Sequence, residues 1–194
     1  GTPTTVQVTG DANDVIANIE NVIGTAGNDT LTGDALGNRL EGNAGDDSLI
    51  GGGGNDILDG GAGTSDTVDY SAAAAGIDIN LNTGAVAADG DGSVDTVIDV
   101  ENVVGSNFSD TIVGNADANT LDSGTGDDVL TASAGADTID AGAGSDTVDY
   151  SGLAGVTGVS VTLNGINDVT VTVAGGDDDT IAGVENVIGS IGSD

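Results

Sequence analysis

The 194-residue sequence contains no cysteine, histidine, tryptophan or methionine, one proline, and a single cation, Arg39. Without cysteine there are no disulfides and no thiol chemistry, and without histidine the commonest zinc sites are absent too. Aromatic residues make up 2% of the chain, and Tyr70, Tyr150 and Phe108 are the whole set, so a thick core is excluded. One arginine against 33 acids excludes nucleic acid as a partner and removes attraction to an anionic bilayer. No run approaches the roughly 18 consecutive apolar residues of a membrane span, so no membrane insertion is expected, and no basic and apolar leader opens the chain. The expectation is therefore either a segment of a longer protein or export by a route that needs no cleaved leader.

What is present is equally lopsided. Thirty-five glycines accompany Val, Ile, Leu and Ala, residues that fill a thin core one strand row at a time. Of the acids only Glu20, Glu41, Glu101 and Glu185 are glutamates, and the formal net charge is -32. Aspartate with glycine is the vocabulary of oxygen-ligand loops rather than of helices. A strongly acidic chain poor in aromatics is by default disordered. Here the aliphatic residues recur at a fixed spacing, which disordered acidic tails lack, so a fold that is unstable until cations arrive is expected instead.

The spacing is nine. From Gly24 the words run GTAGNDTLT, GDALGNRLE, GNAGDDSLI, GGGGNDILD and GGAGTSDTVD, the last stretched by one residue; from Gly105 they run GSNFSDTIV, GNADANTLD, SGTGDDVLT, ASAGADTID and AGAGSDTVD. Position six holds Asp29, Asn38, Asp47, Asp56 and Asp66, then Asp110, Asn119, Asp128, Asp137 and Asp146. Position eight holds Leu31, Leu40, Leu49, Leu58 and Val68, then Ile112, Leu121, Leu130, Ile139 and Val148. No window shows apolar residues at three and four spacing with a cap, so an all-β chain is expected. The residues from Gly42 to Asp59 match the word GGxGxDxUx, where U is a large aliphatic residue, and there the chain resembles the repeat-in-toxin (RTX) family of secreted calcium-binding β-rolls.

That resemblance implies a right-handed parallel β-roll, or β-solenoid, of nonapeptide repeats interrupted by short strand-rich junctions, and it implies several calcium ions. Each word makes a six-residue turn and a three-residue strand, and two words complete a coil, so residues 18 apart stack at roughly the 4.8 Å strand spacing. Position eight points inward while positions seven and nine point out. The rule pairs Asp29 with Asp47, Asp47 with Asp66, Asp110 with Asp128 and Asp128 with Asp146 on one edge, and Asn38 with Asp56 and Asn119 with Asp137 on the other. All ten are candidate metal ligands: turn carbonyls and position-six oxygens from successive coils can supply the about six to eight oxygens calcium takes. The asparagine pairs are the weaker candidates, because the charge is lost and position four carries Leu36 and Asp117 in place of glycine; Phe108 at position four puts the Asp110 half-site in doubt. The metal-free alternative is that these residues merely cap tight turns, but ten stacked carboxylate and amide positions with almost no cation to neutralise them argue against it.

Between the arrays the texture changes. Ile77, Ile79 and Leu81 alternate with polar residues, as do Val159 to Val173, which predicts half-buried strands. DVIANIENVIG from Asp14 returns as DTVIDVENVVG from Asp95 and DTIAGVENVIG from Asp179, with 81 residues from Glu20 to Glu101 and 84 from Glu101 to Glu185. The organisation expected is a junction end over 1–23, a first array over 24–71, a junction over 72–104, a second array over 105–151, and a junction with the start of a third array over 152–194. Asp194 would be position six of that third array, so the sequence reads as a window from a longer repeat. Asp89, Asp91 and Asp95 read as a solvated turn rather than a site, Tyr70 and Tyr150 as caps on a thin core, and Glu20, Glu101 and Glu185 as hydrogen-bonding or junctional ligands rather than catalysts.

No pair of carboxylates stands out among 33, so no enzyme activity is expected. The leading expectation is a structural module of a large extracellular or cell-surface protein, of the kind found in surface-layer proteins and giant adhesins, for which the family implies one-step (type I) secretion and folding on external calcium. The alternatives are an accessory roll of a secreted hydrolase or epimerase and a carbohydrate-binding surface. Self-association into a lattice or filament is left open by the sequence.

Overall fold

The computed structural model describes residues 5–7, 19–153, 155–164 and 169–190. Asp14 and Asp194 lie outside them. Among the described residues there is no helix, and twenty short strands form two sheets of eleven and nine strands.

The words build the sheets as their spacing predicts. Thr30–Thr32 holds Leu31 inside and both threonines out, and the next words form Arg39–Ala44, Ser48–Ile50, Ile57–Ala62 and Thr67–Asp69. Successive words fall on alternate sheets, so strands two words apart pair in parallel, with Leu31 beside Leu49 on one sheet and Leu40 beside Leu58 on the other. The second array repeats this, Ile112 beside Leu130 and Leu121 beside Ile139. Leu40, Leu49, Leu58, Ile112, Leu121, Leu130, Ile139 and Val148 are all no more than 1% exposed, and they make a core one side chain deep from each sheet. This is an all-β parallel β-roll.

The junctions continue both sheets. After Thr67–Asp69 the chain enters the eleven-stranded sheet as Asp78–Asn80, turns back antiparallel through Ala85–Ala88, and turns again into Asp95–Ile98, which pairs in parallel with Ile57–Ala62. It then crosses to Asn102–Val104, which joins the first array to the second by pairing with Thr67–Asp69 on one side and Thr120–Asp122 on the other. Ile77, Ile79, Leu81 and Val86 are buried, as strict alternation requires of a half-buried strand. The second junction does the same on the opposite sheet: Val159–Ser160, Val169–Val173 and Asp179–Ala182 add to the nine-stranded one. Tyr70 and Tyr150 end the arrays as buried core residues.

Candidate calcium-binding turns

The six-residue turns form two edges where the chain passes between sheets, and on each edge the position-six side chains stack. All six pairs expected from the sequence are brought together, each in one manner: the side-chain oxygen of one coil accepts a hydrogen bond from the backbone N–H of its counterpart on the preceding coil. Asp29 donates to Asp47 Oδ1 at 2.7 Å and Asp47 to Asp66 Oδ1 at 2.7 Å. Asp110 donates to Asp128 and Asp128 to Asp146, both at 2.8 Å. Asn38 donates to Asp56 at 2.7 Å and Asn119 to Asp137 at 3.0 Å.

Four further acids extend these ladders through the junctions. Asp56 donates to Asp95 Oδ1 and Asp137 to Asp179 Oδ1, both at 2.8 Å, while Asp66 and Asp146 donate to Glu101 Oε2 and Glu185 Oε2. The glutamates are hydrogen-bonding groups, in line with their sequence reading. Asp95 departs from the solvated turn expected of it: it is 4% exposed, opens a strand, and takes the Tyr70 hydroxyl on Oδ2 at 3.0 Å. The junction phrase is a degenerate word, with Asp95 at its sixth position and Val97 at its eighth; its distance of 39 residues from Asp56 hides it from an 18-residue rule.

The second oxygen divides the ten candidates. In five words position two donates its own N–H to the position-six side chain: Thr25 to Asp29, Asp34 to Asn38, Ser106 to Asp110, Asn115 to Asn119 and Ser133 to Asp137. The Thr25 and Ser133 hydroxyls add a bond to that same oxygen. In the other five the oxygen is buried with no hydrogen-bond donor, namely Oδ2 of Asp47, Asp56, Asp66, Asp128 and Asp146. The cause is local backbone. In these five, position two is Asn43, Gly52, Gly61, Gly124 or Gly142, all at φ between 74° and 96°, which turns the N–H away from the carboxylate. Position four does not make this distinction, because Gly27 and Gly135 stand in turns of the first kind.

Glycine carbonyls crowd the open oxygens. A β-carbon on Gly63 would lie 2.6 Å from Asp66 Oδ2 and against the Gly45 carbonyl oxygen, and one on Gly42 would meet Asp47 Oδ2 and, at 2.6 Å, the Gly60 carbonyl. A buried carboxylate oxygen and a backbone carbonyl oxygen thus flank the same glycine in each of these turns. Neither satisfies the other, and a hard cation satisfies both. No three acidic side chains among the described residues converge on one point, so a cation here would draw most of its ligands from the backbone. The donor chemistry fits calcium.

Burial also raises the carboxyl pKa values. Asp47, Asp66, Asp128 and Asp146 lie above the usual carboxylate value, and Asp56 is pushed up to about 7, first by burial and then by the charges of Asp95, Asp89 and Asp91, against the bond from the Asn38 N–H. Asp179 is raised by burial to about 6. A carboxyl raised above its unfolded value favours folding in its protonated form, so this stability is fully present below roughly pH 4 and is lost as pH rises through about 6 to 7. With chelator, β-structure is expected to grow on acidification from pH 8 to 5; with calcium, the folding midpoint should move to higher calcium over the same range. Circular dichroism against pH reads both, and a signal flat between pH 5 and 8 in chelator would contradict the assignment.

Stacked coils, open carboxylates and glycine carbonyls define a calcium-binding parallel β-roll. A model of the RTX calcium-binding nonapeptide repeat matches the chain in four copies, at residues 17–35, 32–65, 99–130 and 122–152, just over half its length. The chain belongs to that family; its repeats are calcium-binding, and several repeats mean several ions. No curated protein sequence matches. Among solved structures the extracellular lipase LipA of Serratia marcescens is similar at 16% identity and a TM-score of 0.36, over 94% of this chain and 40% of the lipase. No helix among the described residues is long and apolar enough to cross a membrane.

Proposed function

We propose that the chain is a non-catalytic structural module of a large secreted or cell-surface protein, of the surface-layer or adhesin kind, which folds and stiffens on meeting extracellular calcium. The observation that carries this is the set of seven buried carboxylate oxygens without a hydrogen-bond donor among the described residues, five of them at position six of the words, in a chain with a single cation. Asp47, Asp56, Asp66, Asp128 and Asp146 are the principal ligands, with backbone carbonyls of the turns completing the shell; the glycine carbonyls Gly60, Gly45 and Gly126 lie nearest at Asp47, Asp66 and Asp146. Asp29, Asp110 and Asp137 give weaker sites because their second oxygen is already bonded, and Asn38 and Asn119 the weakest, lacking charge. Two carboxylates one strand spacing apart repel by roughly 3 kcal/mol at an effective dielectric of about 20. Calcium turns that repulsion into cohesion.

At micromolar calcium or below, as inside a cell, the chain stays open; at millimolar calcium, binding free energy becomes folding free energy. The folding midpoint is expected at about 0.1 to 1 mM, the range of extracellular calcium modules. A midpoint below about 1 μM would overturn the export-coupled reading, because the roll would then fold before leaving the cell. A carbohydrate-binding surface is not favoured: Tyr70 and Tyr150 are buried, which leaves Phe108 as the exposed aromatic.

A further inference from the structure

The loop from Asp89 to Asp95 closes the first junction hairpin onto the turn Gly51–Asp56. Asp91 reaches that turn directly, taking the Gly54 N–H on Oδ2 at 3.2 Å and the Ser93 N–H on Oδ1 at 2.9 Å. Asp89 is 3% exposed; its Oδ1 accepts from Asp91 N at 3.0 Å and Ser93 N at 3.1 Å, while its Oδ2 is buried without a hydrogen-bond donor. Both residues line one cleft of about 230 Å³ between the loop, Gly52 and Gly53, and Tyr70 with Ala72 to Ala74. The other charged groups facing it are acids: Asp69 lines the cleft, and Asp56 and Asp95 stand behind it.

The second repeat supplies an internal comparison. Its junction has the corresponding cleft, lined by Ser133, Ala134, Gly152 and Leu153, but where Asp89 and Asp91 stand six and four residues before Asp95, Val173 and Gly175 stand six and four before Asp179. The fold does not need acids at these places. A buried carboxylate held against a second one, in one copy of a repeat and not the other, needs a reason outside the fold.

We propose that Asp89 and Asp91 form a second kind of cation site, a two-carboxylate clamp for calcium that fastens the first junction hairpin to the end of the first array, and that the second junction lacks it. Asp89 Oδ2 and the Asp91 carboxylate are its charged ligands, and water and backbone oxygens complete the shell, with the Ala75 carbonyl packed over Gly90 a backbone candidate. The nonapeptide word assigns neither acid. The site rests on the calcium reading of the module for the identity of its ion, and it lies outside the ten position-six residues.

The test is an ion count by equilibrium dialysis with radioactive calcium on the full chain, for the parent, Asp89→Asn, Asp91→Asn and, as control, Asp177→Asn in the second cleft. Asp89→Asn and Asp91→Asn are each expected to bind one ion fewer than the parent while keeping its β-spectrum at saturating calcium, and Asp177→Asn to bind the same number. Because Asp91 is exposed, its variant decides the matter should Asp89→Asn fail to fold. An unchanged count and affinity in Asp91→Asn, with the parent binding calcium, would overturn the clamp alone. A parent that binds no calcium would overturn both the clamp and the function proposed for the module.

Discussion

Replacing Asp47, Asp66, Asp128 and Asp146 together by asparagine is expected to stabilise the roll in chelator and to remove most of its response to calcium. Asparagine keeps the oxygen that accepts the N–H bonds from Asp29, Asp47, Asp110 and Asp128, so the ladders survive. It replaces the unpartnered oxygen by an amide that can donate to the carbonyls now facing it. Asn38 and Asn119 are seated the other way round, with the oxygen on the N–H of their own turn, from Asp34 and Asn115, and the amide on the Ile19 and Glu101 carbonyls of the preceding coil. Each exchange removes an unsatisfied buried group, worth on the order of 1–3 kcal/mol. It also removes binding free energy, about 2.7 kcal/mol per site at a hundredfold excess of calcium over Kd. The β-content of parent and variant in chelator, by circular dichroism, and urea unfolding of both at millimolar calcium read the crossing. A variant less stable than the parent under both conditions would mean that the aspartates act as turn caps.

Gly144→Ala is the second change with a large expected effect. The added β-carbon would fall on the Gly126 carbonyl oxygen of the preceding coil and 2.9 Å from Asp146 Oδ1. Both neighbours are fixed, one as backbone and the other by the Asp128 N–H. Relief requires the coils to part, which breaks the Thr147 to Asp128 and Gly126 to Ala143 backbone bonds on either side. Overpacking of this kind costs about 1–3 kcal/mol or more, and calcium affinity at the Asp146 turn should fall with it. Gly152→Ala is the matched control, with nothing within 4 Å of its added carbon and no positive φ; it should change stability by no more than about 0.5 kcal/mol. Urea unfolding at saturating calcium compares them, and equal effects would show that the coils at Gly144 are not in contact.

Much of this arrangement is written in the period. Position eight fixes which residue faces inward, and a spacing of 18 fixes which residues stack, because within an array both follow from strand geometry alone. The junctions escape that rule. Asp95, Glu101, Asp179 and Glu185 continue the ladders at separations of 35 to 42 residues, with a hairpin looped out between. Strict alternation shows the hairpin strands, but which sheet receives them depends on how many words precede each junction. The division of turns into open and closed was legible only in part, at position two rather than four: Thr25, Ser106 and Ser133 offer an N–H and a hydroxyl to the carboxylate and the glycines at that place adopt positive φ, but asparagine stands in both kinds, Asn43 in an open turn and Asn115 in a closed one. Asp89 could not be read as buried from its neighbours Gly90 and Asp91, since the residues that share its cleft, Gly52, Gly53 and Tyr70 among them, are distant in sequence.

The central claim is that the roll folds because calcium bridges carboxylates that protein groups leave unbonded. Far-ultraviolet circular dichroism of the full chain tests it most directly, first in excess chelator, then on addition of calcium, with magnesium at equal concentration as control. The expected result is a disordered spectrum in chelator at pH 7.5, conversion to β-structure with calcium at millimolar concentration, and little conversion with magnesium, whose small rigid shell suits these turns poorly. A β-spectrum already complete in chelator and unchanged by calcium would contradict it.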